Sequence, residues 1–532
     1  MIGMKKTQPV NVNNAIILAA GYGSRFVPLT FETPKGLLLV HGQPMIERQI
    51  EQLQKKGVHN IVIVVGYKKE AFDYLIDKYG VKLIYNSEYS TKNNLSSLYL
   101  VRDQLSSTYL LMSDHYMEDN IFAGSETDSW LSCRYFAGPT DEWCVFGGKD
   151  GKIAAISIGG ADAYAMIGPA YFSPSFSEKF RSFIEEYYHK PGTGDFYWEH
   201  ILKEKIDELD IYINRQDGNV HEFENLEELR LFDPSYNTAS NNEVMATIAR
   251  VYGVPEGEIV NIAPVKAGMT NRSFTFTYGE TKYIMRMPGE GTDKLINRRQ
   301  ESDVYQVILP LGLCDNMLFI DPESGYKIAE YIKDARVCDP LNTADLTICM
   351  KKLKIFHSLK LQVPHVFDPF ERIEFYESIW LKQSAFRDYQ DTKDKVMGLR
   401  SYVDAAKKEW CLTHIDAVCD NFLILGDGSG EILLIDWEYA GMQDPHMDIA
   451  MFAVYAMYGR EQIDTLIDIY FEGQCAPATR AKIYAYVAIC GLLWSNWCEY
   501  KRHQGVEFGE YSLCQYRYAK DYFRIFTDWE EK

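Results

Sequence analysis

The chain has 532 residues, beyond the size at which one hydrophobic core stops growing, so two or three domains are expected. Its composition, 46% hydrophobic, 24% charged and 14% aromatic, is that of a globular protein and excludes disordered and collagen-like classes. Lys and Arg total 55 against 75 Asp and Glu, and this net charge of -20 excludes a nonspecific nucleic-acid or anionic-membrane binder and suits a small cationic ligand better.

From Asn14 the string NAIILAAGYGSRF reads as a buried strand running into a glycine turn, and apolar runs recur at 60–65, 81–85 and 109–112. Between them, 47–56 and 69–78 carry spaced apolar residues with charged partners, the pattern of amphipathic helices. This alternation predicts a parallel α/β sheet with helical crossovers. Near 235 the string FDPSYNTASNN clusters Asp, Pro, Ser and Asn, and the boundary is placed there, giving domains 1–235 and 240–532. Beyond it a helix is expected at 243–252, strands at 273–278 and 282–287, and a charged helix at about 294–309. From 342 the pattern is mostly helical, interrupted at 432–437.

Eleven cysteines without a CxxC pair predict reduced thiols in a cytoplasmic protein. The longest apolar runs, such as 483–494, fall short of the roughly 18–20 residues that span a bilayer, and MIGMKKTQPVNVNN has no apolar signal core. No membrane and no nucleic-acid partner is expected, and the oligomeric state is left open.

The densest chemical signal is LAAGYGSRF followed by TPKG, with Gly21, Gly23, Ser24 and Arg25, then Pro34 and Lys35. A glycine turn after a strand lets backbone N–H groups approach phosphate oxygens with no Cβ in the way, and Arg25 and Lys35 add mobile positive charge. Neither the Walker spacing nor GxGxxG is present. The string L-A-A-G-x-G-x-R-x8-P-K resembles the start of the nucleotidyltransferases that make nucleoside-diphosphate sugars and CDP-alcohols. VVGYKKE, YNSEYSTKNNLSSLY and DFYWEH resemble the bacterial choline-phosphate cytidylyltransferases among them.

The resemblance, over residues 13–232, implies a Rossmann-like α/β domain with a mixed sheet. It implies CMP transfer from CTP to phosphocholine, the acceptor phosphate attacking the α-phosphorus and expelling pyrophosphate. It implies nucleotide binding by Leu18, Ala19, Ala20, Gly21, Gly23, Ser24, Arg25, Lys35, Asn86 and Ser96, with Lys35 and Arg25 on the reacting phosphates. It implies Mg²⁺ on Asp114, at a strand end in YLLMSDHY, with Glu199 as the second carboxylate. Family members often have Asp at that place, so Asp195 and Glu222 are alternates. A quaternary ammonium donates no hydrogen bond and is recognised by aromatic faces near a carboxylate. Trp143, Tyr197 and Trp198 are the candidates, with ordinary core packing as the other reading of these rings.

Residues 410–440, WCLTHIDAVCDNFLILGDGSGEILLIDWEYA, contain H-x-D-x4-N at His414, Asp416 and Asn421, then an extended run ending at Asp436. Phosphotransfer needs such a set: one carboxylate to orient or deprotonate the acceptor hydroxyl, an amide and a second carboxylate for the Mg²⁺ ions that bridge ATP phosphates. The motif resembles the catalytic loop of choline/ethanolamine and aminoglycoside kinases. That implies an α+β bilobed protein-kinase-like domain, with an N-lobe at about 243–335 and a C-lobe at about 336–532. Asp416 would be the catalytic base, Asn421 and Asp436 metal ligands, and His414 a brace for the loop.

KAGMTNRSFTF stands where that family has its phosphate-covering hairpin, which makes Thr270 and Asn271 nucleotide contacts. Alternation puts Lys282, Ile284 and Arg286 on one face of the next strand. Arg286 is preferred over Lys282 as the phosphate contact, paired with Glu301 on the following helix. Trp494 and Trp497, three apart on a helix, with Glu438 and Tyr439, are the candidate trimethylammonium cage; core packing is again the other reading.

Together the halves predict a bifunctional enzyme whose C-terminal domain makes phosphocholine from choline and ATP and whose N-terminal domain makes CDP-choline from phosphocholine and CTP. The alternative is a sugar-1-phosphate nucleotidyltransferase fused to an ethanolamine, sugar or aminoglycoside kinase.

Overall fold

The computed structural model describes residues 8–530 except 149, 217, 266–270, 290, 293–294, 381 and 427–429. The chain forms two compact units, one running to Pro264 with Phe276–Gly279, the other comprising Val265–Thr275 and the chain from Glu280. Near the expected boundary at 235 the chain is anchored by hydrogen bonds. Asp233 accepts from the His41 N–H at 2.7 Å, the Tyr236 hydroxyl donates to Leu39 O at 2.7 Å, and Arg230 donates to Ile259 O and Glu256 O at 2.7 Å each. The polar cluster that reads as a linker is thus a set of anchored turns.

The first unit is built on a seven-stranded sheet in the order Tyr212–Arg215, Trp130–Gly147, Ile153–Phe172, Thr108–Met112, Asn14–Ala19, Ile61–Val65, Lys82–Tyr85. The last four are parallel. Ile153–Phe172 runs antiparallel to Thr108–Met112 and to Trp130–Gly147, so the sheet is mixed. Every residue of Asn14–Ala19 is buried, as befits a parallel strand covered on both faces. Its side chains alternate between two cores. Ile16 and Leu18 join Phe172, Phe180 and Trp198, while Ala15 and Ile17 join Ile46, Ile50 and Leu53 of the helix Met45–Gln54. The register pairs Leu18 with Met112, so the glycine turn and Asp114 emerge side by side at the carboxyl ends of neighbouring strands. Ligands bind at such ends in open α/β sheets.

In the second unit, Thr281–Pro288, Lys327–Glu330 and Met317–Ile320 are successive antiparallel neighbours. The helix Arg298–Ile308 begins where the Asn297 side chain accepts from the Gln300 N–H at 3.3 Å, and it buries Glu301, Val304, Tyr305 and Ile308 at helical spacing. The helices Thr343–Ser358, Pro369–Ser378, Tyr389–Ala405, His446–Tyr455, Arg460–Phe471, Pro477–His503 and Glu510–Glu530 follow. They share one core that includes Leu353, Phe356, Trp437, Met451 and Ile489. The extended interruption is Ile432–Leu434, paired with Phe422–Leu425. All eleven cysteines are free thiols. Among the described residues, no helix is long and apolar enough to cross a membrane.

Candidate active sites

In the first unit a cavity of about 470 Å³ opens over the glycine turn. Gly23 adopts φ 61°, a left-handed conformation that favours glycine, and its carbonyl accepts from the Thr30 hydroxyl at 3.0 Å. Gly36 serves a close approach, since a Cβ there would stand 2.7 Å from the Ser113 side chain. That approach sets Lys35 Nζ 2.8 Å from Asp114 Oδ2. Burial opposes the charge on Asp114, but Lys35 and His115 outweigh it and hold the carboxyl below the usual carboxylate range.

His115 Nε2 lies 3.5 Å from Glu222 Oε2. Burial disfavours the imidazolium, yet Glu222 and Asp114 prevail and raise its pKa. Glu199, in the first turn of the helix Trp198–Lys205, has its carboxyl pushed up to about 8 by burial, and its Oε2 has no hydrogen-bond partner among the described residues. The largely exposed Arg25 pairs with Glu224. Asn86 Nδ2 donates to the Ser96 and Ser97 hydroxyls at 2.9 Å each. Trp143 meets His200 edge-on at 4.8 Å, whereas Trp198 is buried against Phe172 and Phe180.

In the second unit the pairing of Phe422 with Leu434 brings the flanks of two strands together, and the Ile435 N–H donates to Asn421 O at 3.0 Å. Asn421 Nδ2 donates to Asp416 O at 2.8 Å and to Asp416 Oδ2 at 3.0 Å, which turns its amide oxygen away from Asp416. Asp448 anchors the loop from behind, accepting from the backbone N–H of His414 at 3.0 Å and of Ile415 at 2.6 Å. His414 Nε2 donates to Ile435 O at 3.0 Å, and burial lowers its pKa to about 4, so it braces the loop as a neutral ring. Ile415 and Asp436 have φ of 70° and 64°, conformations costly for non-glycine residues that these bonds sustain.

Arg286 donates to Asp436 Oδ1 at 2.6 Å and pairs with Glu301. Burial, and then the charges of Asp436 and Glu438, push the Asp416 carboxyl well above the ordinary range. Tyr439 and Trp494 meet edge-on at 6.0 Å, as do Trp494 and Trp497 at 5.7 Å. Trp494 retains 9% exposure, whereas Trp497 retains 1% and packs on Phe508.

Residues 14–124 match the family model described as nucleotidyl transferase, and 262–469 match choline/ethanolamine kinase. The choline-phosphate cytidylyltransferase of Streptococcus pneumoniae is 40% identical over 217 residues, 41% of this chain and 95% of that protein. The 2-aminoethylphosphonate cytidylyltransferase of Lancefieldella rimae is likewise 40% identical, over 42% of this chain and 93% of its own length. The chain belongs to the nucleotidyl transferase family, with a choline/ethanolamine kinase domain joined to it. For that kinase unit, a crystal structure of choline kinase LicA from Streptococcus pneumoniae is similar at 28% identity, covering 53% of this chain and 98% of its own, with a TM-score of 0.47.

In the nucleotidyl transferase unit the cavity is lined by Leu18, Ala19, Ala20, Gly21, Gly23, Ser24, Arg25, Lys35, Asn86, Asp114, Trp143, Tyr197, Trp198 and Glu199, all expected from the sequence. Ser96 does not line it and instead orients Asn86 from behind; of the alternates, Glu222 lines it and Asp195 does not. Tyr89, His115, Glu142 and Glu224 also line it and carry no motif of their own: Tyr89 and Glu224 come from loops, His115 from the short strand His115–Met117 and Glu142 from Trp130–Gly147.

In the kinase unit Asp416, Asn421, Asp436, Arg286 and Glu301 form one connected group. Lys282 instead lies over the Tyr331 ring at 4.4 Å. Glu438, expected beside the tryptophans, accepts from Asn271 Nδ2 at 2.9 Å and from Arg298 Nη1 at 2.9 Å, so its charge is matched by Arg298. Thr270 lies outside the described residues.

Mg²⁺ takes oxygen ligands and is usually held by one or two carboxylates plus substrate phosphates. Asp114 and Glu199 fit that demand: both offer oxygen, and Glu199 Oε2 is buried with no hydrogen-bond partner among the described residues. Asp436 and the amide oxygen of Asn421 fit it in the kinase unit. Among the described residues no group of three or more His, Cys, Asp or Glu side chains forms a metal cage, so an ion at either site would complete its shell with phosphate oxygens and water.

Proposed function

We propose that the chain makes CDP-choline from choline in two successive transfers, with ATP and CTP as donors, in the cytoplasm. The observation that carries this reading is the pairing on one chain of a unit similar to choline-phosphate cytidylyltransferases with a unit matching choline/ethanolamine kinases. The product of one is then the substrate of the other.

In the kinase unit Asp416 orients the choline hydroxyl and accepts its proton as the oxygen attacks the γ-phosphorus of ATP, whose bond to the bridging oxygen breaks to release ADP. Asn421 keeps that carboxylate in place. Arg286 exchanges Asp436 for phosphate oxygens. Tyr439 and Trp494 present aromatic surface to the trimethylammonium group. In the nucleotidyl transferase unit the phosphocholine oxygen attacks the α-phosphorus of CTP, and pyrophosphate leaves against Lys35 and the N–H groups of the glycine turn. Trp143 and Tyr197, with Glu142 and Glu222 on the same cavity, receive the cationic end. Asp114 and Glu199 in one unit, and Asn421 and Asp436 in the other, would hold Mg²⁺, which would neutralise phosphate charge.

The test is a product assay with choline, ATP, CTP and Mg²⁺ on wild type, Asp416→Ala and Asp114→Ala. Asp416→Ala makes CDP-choline only from supplied phosphocholine, and Asp114→Ala stops at phosphocholine. A wild-type rate for the corresponding step in either variant removes that unit's assignment.

A second reading of the first unit rests on its equal identity to the 2-aminoethylphosphonate cytidylyltransferase. A fused kinase yields phosphate esters, not phosphonates, which favours phosphocholine. Competition between the two acceptors for CTP decides it.

A further inference from the structure

Arg298 belongs to none of the motifs that point to phosphotransfer, yet it lies among the buried charges behind them. It opens the helix Arg298–Ile308 and is 7% exposed. Its Nη1 donates to Glu301 Oε2 and to Glu438 Oε2, both at 2.9 Å, and its Nη2 donates to Asn271 Oδ1 at 3.3 Å. Its stem runs against Gly325, where a Cβ would stand 2.7 Å from Arg298 Cδ. Gly325 has φ +71°, so the turn between Met317–Ile320 and Lys327–Glu330 needs glycine both for its backbone and for this side chain.

Arg286 approaches the same carboxylates from its own strand. It pairs with Glu301, donates to Asp436 Oδ1 at 2.6 Å and stands 3.5 Å from Glu438 Oε2. Two guanidinium groups therefore face three carboxylates, and the third buried cation nearby, Lys327, is 3.5 Å from a carboxylate of its own, Asp315. A nucleotide alters this balance, because its phosphates draw Arg286 toward them. Glu301 and Glu438 then keep Arg298 as their shared cation. If Arg298 were absent, both buried carboxylates would bear on Arg286 and hold it back from the phosphates, since a buried charge left unpaired is strongly disfavoured.

We propose that Arg298 is a positioning residue for phosphotransfer: by bridging Glu301 and Glu438 it leaves Arg286 able to engage the phosphates of ATP. The proposal rests on the kinase reading of this unit. It predicts an effect on nucleotide affinity that a purely structural role would not isolate from turnover.

The test uses the full chain as wild type, Arg298→Met, Arg298→Lys and Arg298→Met/Glu438→Gln, with steady-state kinetics of choline phosphorylation and equilibrium titration with ADP. Arg298→Met is expected to raise the KM for ATP at least tenfold and weaken ADP binding by a similar factor, with kcat within threefold and the KM for choline within twofold of wild type. Arg298→Lys, a point charge that cannot fork between two carboxylates, falls between Met and wild type. Removing one carboxylate charge in the double variant recovers at least half of the lost ADP affinity on a logarithmic scale.

An ATP KM and ADP affinity within twofold of wild type in Arg298→Met overturn the proposal. So does a joint loss of kcat and affinity that the double variant does not relieve. Should Arg298→Met fail to fold, Arg298→Lys decides, and values within twofold of wild type overturn it. A wild-type chain that neither binds ADP nor phosphorylates choline would overturn the kinase reading itself, a different failure visible before any variant is compared.

Discussion

Lys35 Nζ stands 2.8 Å from Asp114 Oδ2, a pair set by the close approach of Gly36 to Ser113. The lysine does two things at once. It offsets burial at Asp114, and it places positive charge where a triphosphate would lie. Lys35→Met is expected to lower CMP transfer by about 100-fold or more, the scale of losing one preorganised charge contact. Pyrophosphate release from CTP and phosphocholine measures it, with choline phosphorylation by the same molecule unchanged as the internal control. CMP transfer within threefold of wild type would separate this pair from the chemistry.

Asp416 is held at a cost to the fold. Burial and the neighbouring charges of Asp436 and Glu438 push its carboxyl far up, so ionising it in the free protein is unfavourable. Asp416→Asn keeps the shape and removes the charge. Choline phosphorylation is expected to fall by at least about 100-fold, the scale of removing a general base. The unfolding midpoint of the kinase unit is expected to stay level or rise, because strained functional groups trade stability for activity. A large drop in the midpoint alongside the loss of activity would show that Asp416 is needed for the fold.

The parallel strands were legible because burial on both faces writes an unbroken apolar run, as in Asn14–Ala19. The glycine turn and H-x-D-x4-N stood out because their residues are close together in sequence. The long hairpin Trp130–Gly147 and Ile153–Phe172 was not, since its outer half is largely exposed and writes no clear alternation. Glu142 enters the cavity from that hairpin. Arg298 escaped notice for a similar reason. A charged residue opening a helix reads as solvated, and its burial depends on Gly325 in a distant turn. Asp233, Tyr236 and Asn242 look like linker residues in the sequence because their partners lie far back along the chain, near residues 28–41.

Trp494 and Trp497 share a helix but not a role. Trp497 is 1% exposed and wedged between Trp494 and Phe508, so Trp497→Ala is expected to destabilise the kinase unit by about 3–5 kcal/mol. Trp494 keeps 9% exposure beside Tyr439, and Trp494→Leu is expected to raise the KM for choline at least fivefold with a smaller loss of stability. Urea unfolding and choline kinetics on both variants check the split. Equal KM values for the two would remove Trp494 from the ammonium site.

The kinase unit is expected to lose stability as pH falls from 6.5 toward 4, because it buries two neutral imidazoles. Burial lowers His414 and His446 to about 4 each from an ordinary value of 6.5. In both, the folded pKa lies below the unfolded one, so the unfolded chain binds protons first. Their stabilising contribution is complete above pH 6.5 and declines through the window down to 4, by at most about 3 kcal/mol for each ring. The raised carboxyl of Asp416 acts in the opposite sense, since protonation suits its folded environment and its contribution is lost as pH rises. The net slope therefore mixes both signs, and the difference between variants isolates the histidines. His446→Gln removes one titration while keeping a polar side chain near Asp444, whose carboxylate is also paired with Lys482 at 2.6 Å. Urea unfolding of the kinase unit at pH 7 and pH 5 should show a smaller loss for His446→Gln than for wild type. An identical loss in the two proteins would mean that His446 is not held neutral by its burial.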